Sequence, residues 1–364
     1  MSAAFFKKRG KDCTKSWNGD EKSMERFDSD YMEGCHPRIL QRMAEINFEK
    51  TTGYGQDPYC ESAKEKIRHA CKAPDAQIYF LAGGTQTKAT VIAAFLRNYE
   101  GVIAAETGHI NVHESGAIEA GGHKVIALPQ KNGKLDAKDV EKHMEQFYAD
   151  ETWEHMVIPG MVYISHPTEC GTLYTKAELE ELRRVCGRFH MYLFMDGARL
   201  GYGLAADGTD VTLEEIARLC DVFYIGGTKV GALFGEAVVI PRPGVVSHFF
   251  TTIKQRGALL AKGWLLGLQF DTLFTDDLYF SISRNAVEMA LMLKEGLLKK
   301  GYTLYCDSVT NQQFVILPKN KLKELKGKVT FSLWAPVGEN AAAVRFATSW
   351  ATRKEEVEKL LELM

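Results

Sequence analysis

The sequence lacks the features that would place it at once in several protein classes. Its eight cysteines include no Cys-x-x-Cys pair, so neither a disulfide framework nor a zinc site is expected. Charges of one sign are not in excess, because 45 lysines and arginines face 47 aspartates and glutamates, for a formal net charge of −2. That balance gives no reason to expect binding to nucleic acid or to an anionic membrane surface. The sequence also has no internal repeat and no low-complexity segment.

Long apolar runs are missing as well. The longest, residues 257–270, is interrupted by Lys262 and is too short to cross a bilayer. The first ten residues, MSAAFFKKRG, lack the sustained apolar core of a signal peptide. The cysteines are scattered, and Cys186 and Cys220 fall on apolar faces, as free cysteines do in a reducing compartment. We therefore expect a cytoplasmic protein that binds no structural metal and no membrane.

What the sequence does contain is an alternation of short apolar runs and amphipathic segments. Strands are predicted at residues 77–81, 102–105, 124–128 and 161–165, with helices between them. A later helix follows the capping box Thr175-Lys-Ala-Glu178. Alternation of this kind predicts an α/β fold, in which helices cover both faces of a mostly parallel sheet.

The alternation stops after Pro243, where a run of helices begins. Strands return later and precede a last helix that Thr352 is predicted to cap, so this part of the chain is expected to form a small α+β domain. We divide the chain into an N-terminal arm and helix (1–50), a large cofactor-binding domain (51–255), and linking helices with the small C-terminal domain (256–364).

Two predicted strand ends carry the residues with the clearest chemistry. The apolar run of residues 191–195 ends in Asp196 and Arg199, and that of residues 222–226 leads through Gly-Gly-Thr to Lys229. Strand ends are where open α/β sheets bind ligands. This set suits pyridoxal phosphate (PLP), because the lysine can form a Schiff base and the carboxylate can keep the pyridine nitrogen protonated. Taken singly, the same residues also fit ordinary turns and solvated loops.

A Gly-rich loop, residues 82–87, lies between the first predicted strand and a helix predicted through Asn98. Free backbone amides and the helix dipole at such a place can hold a phosphate group. The loop is not a Walker motif, since Lys88 is followed by Ala89 and the required glycine is absent. Viewed alone, it fits a Gly-rich turn with a capping threonine equally well.

With these residues the chain resembles the L-threonine aldolase / β-eliminating lyase family of fold-type I PLP-dependent enzymes, from Phe27 to the C-terminus. The most specific matching segments are Met195-Asp-Gly-Ala-Arg-Leu200 and Thr228-Lys229. Supporting segments are Asp28-Ser-Asp30, Tyr54-Gly-Gln-Asp-Pro58, Gly84-Thr85, Glu106-x-x-His109 and Val344-Arg-Phe-Ala-Thr348. The resemblance implies a fold-type I PLP-dependent transferase-like fold. It also implies a homodimer or homotetramer with active sites at the subunit interface.

The resemblance further implies two groups of site residues. The cofactor-binding residues are Lys229 (Schiff base), Asp196 (pyridinium), His109 (ring stacking), Gly84, Thr85 and Gln86 (phosphate loop), and Arg199. The substrate-binding residues are Arg199 and Arg345, which hold a carboxylate, with Ser29 nearby and Tyr54. From the sequence pattern alone, Tyr54 could equally be an aromatic residue at the edge of the core. Two segments depart from the family, Ile164-Ser-His-Pro167 and residues 255–262, and both leave substrate choice more open than cofactor use.

We therefore predict that the enzyme cleaves L-threonine, L-allo-threonine or a related β-hydroxy-α-amino acid into glycine and an aldehyde. A base must remove the β-hydroxyl proton, and His109 is the first candidate and His166 the second. An aminotransferase or a β-eliminating lyase would share Lys229, Asp196 and Arg199, so these remain alternatives. A non-catalytic binding protein on the same fold is a further alternative.

Overall fold

The computed structural model describes residues 24–364, so the arm predicted for the first residues of the chain lies almost wholly outside the described part. The strands are β1 (Glu25–Arg26), β2 (Gln77–Leu81), β3 (Glu100–Ala105), β4 (Val125–Leu128), β5 (Ile158–Ser165), β6 (Tyr192–Asp196), β7 (Val222–Gly226), β8 (Glu236–Ile240), β9 (Leu304–Cys306), β10 (Gln312–Pro318), β11 (Val329–Thr330), β12 (Ser332–Val337) and β13 (Ala341–Ala347). The helices are α1 (Pro37–Glu45), α2 (Pro58–Ala70), α3 (Gly84–Phe95), α4 (His109–Val112), α5 (Ala117–Ala120), α6 (Ala137–Ala149), α7 (Lys176–Arg188), α8 (Leu200–Leu204), α9 (Leu213–Leu219), α10 (Phe249–Gln255), α11 (Trp264–Leu273), α12 (Leu278–Lys299), α13 (Lys319–Leu325) and α14 (Lys354–Leu363), with a single 3-10 turn at Trp153–His155.

Seven strands form one large sheet in the order β2-β8-β7-β6-β5-β3-β4. All neighbouring pairs are parallel except those of β8, which runs antiparallel to both β2 and β7. Side chains alternate across the sheet, as β5 illustrates: Val162 and Ile164 join one apolar core and Met161 and Tyr163 join another. Burial on both faces explains why these strands are nearly continuous apolar runs. The predicted α/β fold with a mostly parallel sheet is confirmed.

A smaller antiparallel sheet follows, in the order β12-β13-β10-β9. Its apolar face packs on α12 and α14 around a third core that includes Leu293, Val315, Val344 and Leu360. Strand β1 pairs with β11, which fixes the start of the described chain beside this sheet. None of the helices within residues 24–364 is long and apolar enough to cross a membrane.

Local signals in the sequence place most helix ends well. The capping box at Thr175 and Glu178 forms as predicted. Two ends differ: α3 stops at Phe95 instead of Asn98, and α14 takes Arg353, not Thr352, as its cap. The Thr352 hydroxyl instead accepts a hydrogen bond from the backbone of Ser349 at 2.8 Å, so it serves the preceding turn.

The sheet brings the polar strand ends to one edge. Strands β5, β6 and β7 run parallel and end at Ser165, Asp196 and Gly226. The antiparallel β8 begins at the same edge with Glu236, which pairs with Gly226. This edge is where an open α/β sheet binds ligands, so the fold itself gathers the chemistry described next.

Candidate active site

A cavity of about 340 Å³ opens at this edge of the large sheet. Residues from seven separate segments of the chain converge on it, and most of them carry polar or charged side chains. Those that matter below are Gly84, Thr85, Lys88, His109, Glu169, Asp196, Arg199, Tyr224, Lys229 and Glu236. The cavity has the size of a site for a small ligand, with a few convergent polar groups on a larger frame.

Lys229 lies in the tight loop that joins β7 to β8. The amides of Gly227 and Thr228 both donate to the Gly235 carbonyl, at 2.9 and 3.0 Å, which closes the loop. The Tyr202 hydroxyl donates to the Lys229 carbonyl at 2.5 Å and fixes the backbone at this position. Burial and the nearby Arg199 guanidinium lower the pKa of Lys229 to about 8. Half of the amine is therefore neutral already near pH 8, far below the pH at which an ordinary lysine loses its proton, which suits a nucleophile.

Asp196, at the end of β6, is 4% exposed and lies on the cavity wall. Its carboxylate accepts hydrogen bonds from the Tyr163 hydroxyl at 2.5 Å, the Ala198 amide at 2.9 Å and the Tyr224 hydroxyl. Burial favours the neutral acid, but Lys88 and the two tyrosines outweigh it and hold the pKa of Asp196 below its ordinary range. The group is a fixed buried anion at neutral pH.

The loop before α3 provides an open cradle beside these groups. Its cap residue, Gly83, makes no side-chain capping bond, so no side chain covers the first-turn amides of the 12-residue helix. A methyl group on Gly84 would be in ordinary contact with its neighbours, 3.4 Å from the Tyr224 hydroxyl and 3.7 Å from the Lys88 ammonium. Glycine therefore leaves room that a side chain would fill, and an anion can approach the backbone and the positive end of the helix dipole.

His109 begins α4 and is held by acidic neighbours. Its Nδ1 contacts the buried Glu114 carboxylate, and its backbone amide donates to Glu169 at 2.9 Å. Glu169 also accepts from the Ser165 hydroxyl at 2.7 Å. A carboxylate at Nδ1 assigns the proton to that nitrogen and leaves Nε2 as the acceptor.

Two arginines, Arg199 and Arg345, lie on the side of the site that faces the small domain. Arg199 is neutralised by Asp30, since its Nε and one terminal nitrogen donate to the two carboxylate oxygens at 2.6 and 3.0 Å. Arg345, on β13, donates to the Gln312 side chain at 3.0 Å and to the Asp28 carbonyl at 3.0 Å. Among residues 24–364, no carboxylate lies within ion-pair distance of Arg345.

A second cavity of about 390 Å³ adjoins the first and shares five residues with it. It is lined by Tyr31, His109, His113, Glu169, Arg199, Lys229, Gln312, Trp334 and Arg345. Arg345 therefore presents a cation without an acid partner to a space that continues to Lys229. Such a group is well suited to bind the carboxylate of a small ligand.

Comparison with known proteins identifies the family. The profile of the β-eliminating lyase family matches residues 27–315 of the chain. The chain belongs to the β-eliminating lyase family. A threonine aldolase of Leishmania major is 44% identical, with a TM-score of 0.89 over 93% of this chain and 98% of that one. A low-specificity L-threonine aldolase of Pseudomonas aeruginosa is 28% identical over 342 residues, which are 92% of this chain and 96% of that protein.

The fold is shared more widely than the sequence. An aspartate aminotransferase of Thermus thermophilus, a single mutant, is only 16% identical but reaches a TM-score of 0.70 over 94% of this chain and 91% of that one. Together these matches confirm the resemblance and the fold class predicted from the sequence. This β-eliminating lyase family member is an enzyme of a PLP-dependent family of lyases.

Most of the residues predicted for the site of this β-eliminating lyase family member lie together. Gly84, Thr85, His109, Asp196, Arg199 and Lys229 line the first cavity, and Arg345 lines the second. Their individual roles stay predictions.

Four predicted residues do not line either cavity. His166 is fully buried, its Nδ1 accepts from the Tyr174 amide at 3.4 Å, and burial lowers its pKa to about 4. The Gln86 side chain accepts from the Ala82 amide at 3.3 Å and closes the Gly-rich loop. Ser29 is buried between two residues that accept hydrogen bonds from the arginines: the Asp28 carbonyl accepts from Arg345, and the Asp30 carboxylate accepts from Arg199. Tyr54 is 44% exposed, lines a separate cavity of about 240 Å³ and lies 4.6 Å from the Lys254 ammonium.

Several residues of the site were missed by sequence reasoning. They are Lys88, Glu114, Tyr163, Glu169, Tyr224 and Glu236, all charged or polar groups on the cavity wall or in contact with Asp196 and His109. Burial raises the pKa of Glu236 to about 7, although Thr228 donates to it at 2.9 Å. One signal was available, because Lys88 is the only charged residue in α3. A lone charge in a helix that is otherwise apolar or small is a reason to suspect a polar partner.

Proposed function

We propose that this protein is a PLP-dependent aldolase that cleaves L-threonine, L-allo-threonine or a related β-hydroxy-α-amino acid into glycine and an aldehyde. Relatives named as threonine aldolases over nearly the full chain support this proposal. The observation that carries it is the combination of Lys229 and Asp196 in one cavity with Arg345 in the adjoining cavity, a cation with no acid partner within residues 24–364. An α-amino acid offers the matching groups, an amine for the cofactor and a carboxylate for the arginine.

The residues present fit PLP. Lys229 supplies the amine to which the cofactor aldehyde attaches, and the first turn of α3 with Gly84 and Thr85 would hold the phosphate. Asp196 would hold a proton at the ring nitrogen, because it is a buried carboxylate that stays charged. When bound, PLP supplies an electron sink for the carbon from which a bond is broken.

The arginines would orient the substrate by different means. In the described part of the chain Arg345 donates only to neutral acceptors, Gln312, Ser332 and the Asp28 carbonyl, so its charge is available to pair with the substrate carboxylate. Arg199 already donates to Asp30 through two nitrogens, so only its remaining donors are available. We therefore assign the larger share of carboxylate binding to Arg345 and a steering role to Arg199. Fixing the carboxylate plane determines which bond at the α-carbon is broken.

His109 is our choice for the base that takes the β-hydroxyl proton. It lines both cavities, and the Glu114 carboxylate at Nδ1 leaves Nε2 free to accept a proton. His166 is the weaker choice, because it is buried beside the cavity rather than exposed to it and its pKa falls to about 4.

The proposal is tested by product analysis and by locating the cofactor. Purified protein is incubated with L-threonine and L-allo-threonine, and glycine, aldehyde, pyruvate and keto acid are measured together. Borohydride reduction followed by peptide mass analysis should place the cofactor on Lys229, and Lys229→Ala should lose the visible absorbance and the activity. Lys299→Ala, which alters an exposed lysine outside both cavities, is the matched control. Pyruvate or keto acid in place of aldehyde would instead identify a β-eliminating lyase or an aminotransferase.

We also propose that the enzyme is a cytoplasmic homodimer or homotetramer whose active sites lie at the subunit interface. Large apolar side chains are exposed around the separate cavity of about 240 Å³ that Tyr54 lines, including Tyr54 and Phe250, and a second subunit would cover them. Tyr54 would then reach the substrate of the partner rather than that of its own subunit. The cysteines within residues 24–364 are all free thiols, which agrees with a reducing compartment. Light scattering on the purified protein tests the assembly, and a monomer with full activity would refute it.

A further inference from the structure

Lys88 is a buried lysine that the proposed reaction does not use. It lies one turn into α3, directly behind the loop that would hold the phosphate, and is only 3% exposed. It is the only charged residue of that helix. A buried ion pair is rarely more stable than well-packed apolar residues of similar volume. Stability alone therefore does not account for an ammonium group at this position.

The partners of Lys88 are the groups that surround the proposed cofactor ring. Its Nζ lies 2.6 Å from the Glu114 carboxylate, 3.2 Å from Asp196 and 3.4 Å from His109 Nδ1. Lys88 therefore links the carboxylate assigned to the ring nitrogen with the carboxylate that holds the candidate base. The two acids and the lysine sum to one negative charge, and a protonated ring nitrogen would neutralise that charge.

We propose that Lys88 is a positioning residue for the cofactor ring: its ammonium group shares the Asp196 carboxylate with the ring nitrogen and so weakens the hold of that carboxylate on the ring proton. The inference rests on the proposed binding of PLP at this site. Glu114 has the opposite effect on the ring proton. Its negative charge offsets part of the Lys88 charge and so strengthens the hold of Asp196 on that proton. The strength of the electron sink is then set by three side chains rather than by Asp196 alone.

The surrounding charges support this arrangement. Burial favours the neutral amine, but Asp196 and Glu114 outweigh it and raise the pKa of Lys88, so the cation is permanent. Burial raises the pKa of Glu114, yet the His109 contact and Lys88 bring it down to about 2. Lys88 also contributes to the lowered pKa of Lys229, after burial and Arg199. Among the described residues, the Tyr163 and Tyr224 hydroxyls also donate to Asp196, and burial raises their pKa values far above neutrality. Other charged or titratable groups act on Asp196 through charge without a hydrogen bond; they are His109, Glu169, Arg199, Lys229 and Glu236.

The test measures the ring nitrogen directly rather than turnover. Wild type, Lys88→Gln, Glu114→Gln and the double variant are reconstituted with PLP labelled with ¹⁵N in the ring. The ¹⁵N chemical shift is followed across the pH range in which each protein stays folded. Lys88→Gln should keep the ring proton to a pH higher by about one unit or more, and Glu114→Gln should shift it the other way. The double variant keeps the net charge of the cluster and should lie close to wild type.

The outcomes separate the possible errors. If the ¹⁵N chemical shift of the ring nitrogen depends on pH in the same way in wild type and in Lys88→Gln, the inference is overturned. A lysine with a purely structural role would change only the thermal unfolding temperature. If Lys88→Gln does not fold, Glu114→Gln still decides, because no shift of the ring proton to lower pH would also refute the proposal. If wild type forms no borohydride-reducible adduct at Lys229, the proposed function fails first.

Discussion

Replacing Asp196 by asparagine tests the centre of the proposed site. The substitution keeps the volume but removes the charge that would hold a proton at the ring nitrogen. It also turns an amide group toward Tyr163, Tyr224 and Lys88, all of which donate to the carboxylate at present. At least one donor loses its acceptor in the variant, and the Lys88 cation loses one of two counter-ions.

The structure indicates the magnitude of both effects, the one on the free energy of unfolding and the one on transition-state stabilisation. Removing one partner of a buried charge pair costs about 3–5 kcal/mol when nothing replaces it. Lys88 retains Glu114 at 2.6 Å, so we expect a smaller loss of about 1–3 kcal/mol in the free energy of unfolding. The ring proton has no such replacement, so the loss of transition-state stabilisation should reach about 3–5 kcal/mol, a decrease of roughly 100-fold to a few thousandfold in kcat/KM.

The assay compares Asp196→Asn with a second buried aspartate at the opposite end of the sheet. Asp221 is 7% exposed and binds Arg183 and Arg242 at 2.5 and 2.6 Å. Asp221→Asn should lower thermal stability but leave glycine release per bound cofactor unchanged. If Asp196→Asn retains its cofactor and turns over at nearly the wild-type rate, Asp196 does not hold the ring proton and the assignment is refuted.

Three further predictions concern single residues. Arg345→Ala should raise KM for threonine by roughly 30- to 1,000-fold, the loss of a charged contact of about 2–4 kcal/mol. Arg353→Ala, which alters the exposed cap of α14, should leave KM unchanged, and an unchanged KM in Arg345→Ala would refute the role of Arg345. The rate at which PLP attaches to the cofactor-free protein should rise with pH and level off above about pH 8, because the neutral amine of Lys229 is the nucleophile; a rise that continues toward pH 10.5 would contradict this. Because the pKa of Glu114 falls from 4.5 to about 2 on folding, its stabilising effect is complete above pH 4.5 and is lost as the pH falls toward 2. The difference in unfolding temperature between wild type and Glu114→Gln should shrink as the pH falls through that window. A constant difference would refute the lowered pKa of Glu114 in the folded protein.

Site residues at or after the end of an apolar run could be predicted from the sequence more readily than site residues inside a strand or helix. Asp196 and Lys229 stand out because each ends an apolar run, and the sheet has to place such ends together. Tyr163 and Tyr224 occupy buried strand positions, where an aromatic residue looks like any core residue. Their hydroxyls meet Asp196 only through the order of the strands, which the sequence does not display.

The same reasoning explains why some predicted residues lie elsewhere. His166 directly follows β5 much as Asp196 ends β6, but its ring is fully buried against Tyr174. The direction of a side chain beyond a strand depends on the backbone of the loop, and local composition does not encode it. Glu114 was missed for a related reason, because only the turn after α4 brings it back to His109.

The short segment Asp28–Asp30 has a consequence for the order in which the site is completed. The Asp28 carbonyl holds Arg345, a residue 317 positions further along the chain, and Asp30 holds Arg199 and accepts from Asn311 at 2.9 Å. Contacts between residues so far apart in sequence close a loop that contains most of the chain, so they form late in folding. A nascent polypeptide can therefore assemble the wall around Asp196 and Lys229 long before it has a place for a substrate carboxylate. We expect substrate recognition to be the last property acquired during folding and the first lost on partial unfolding.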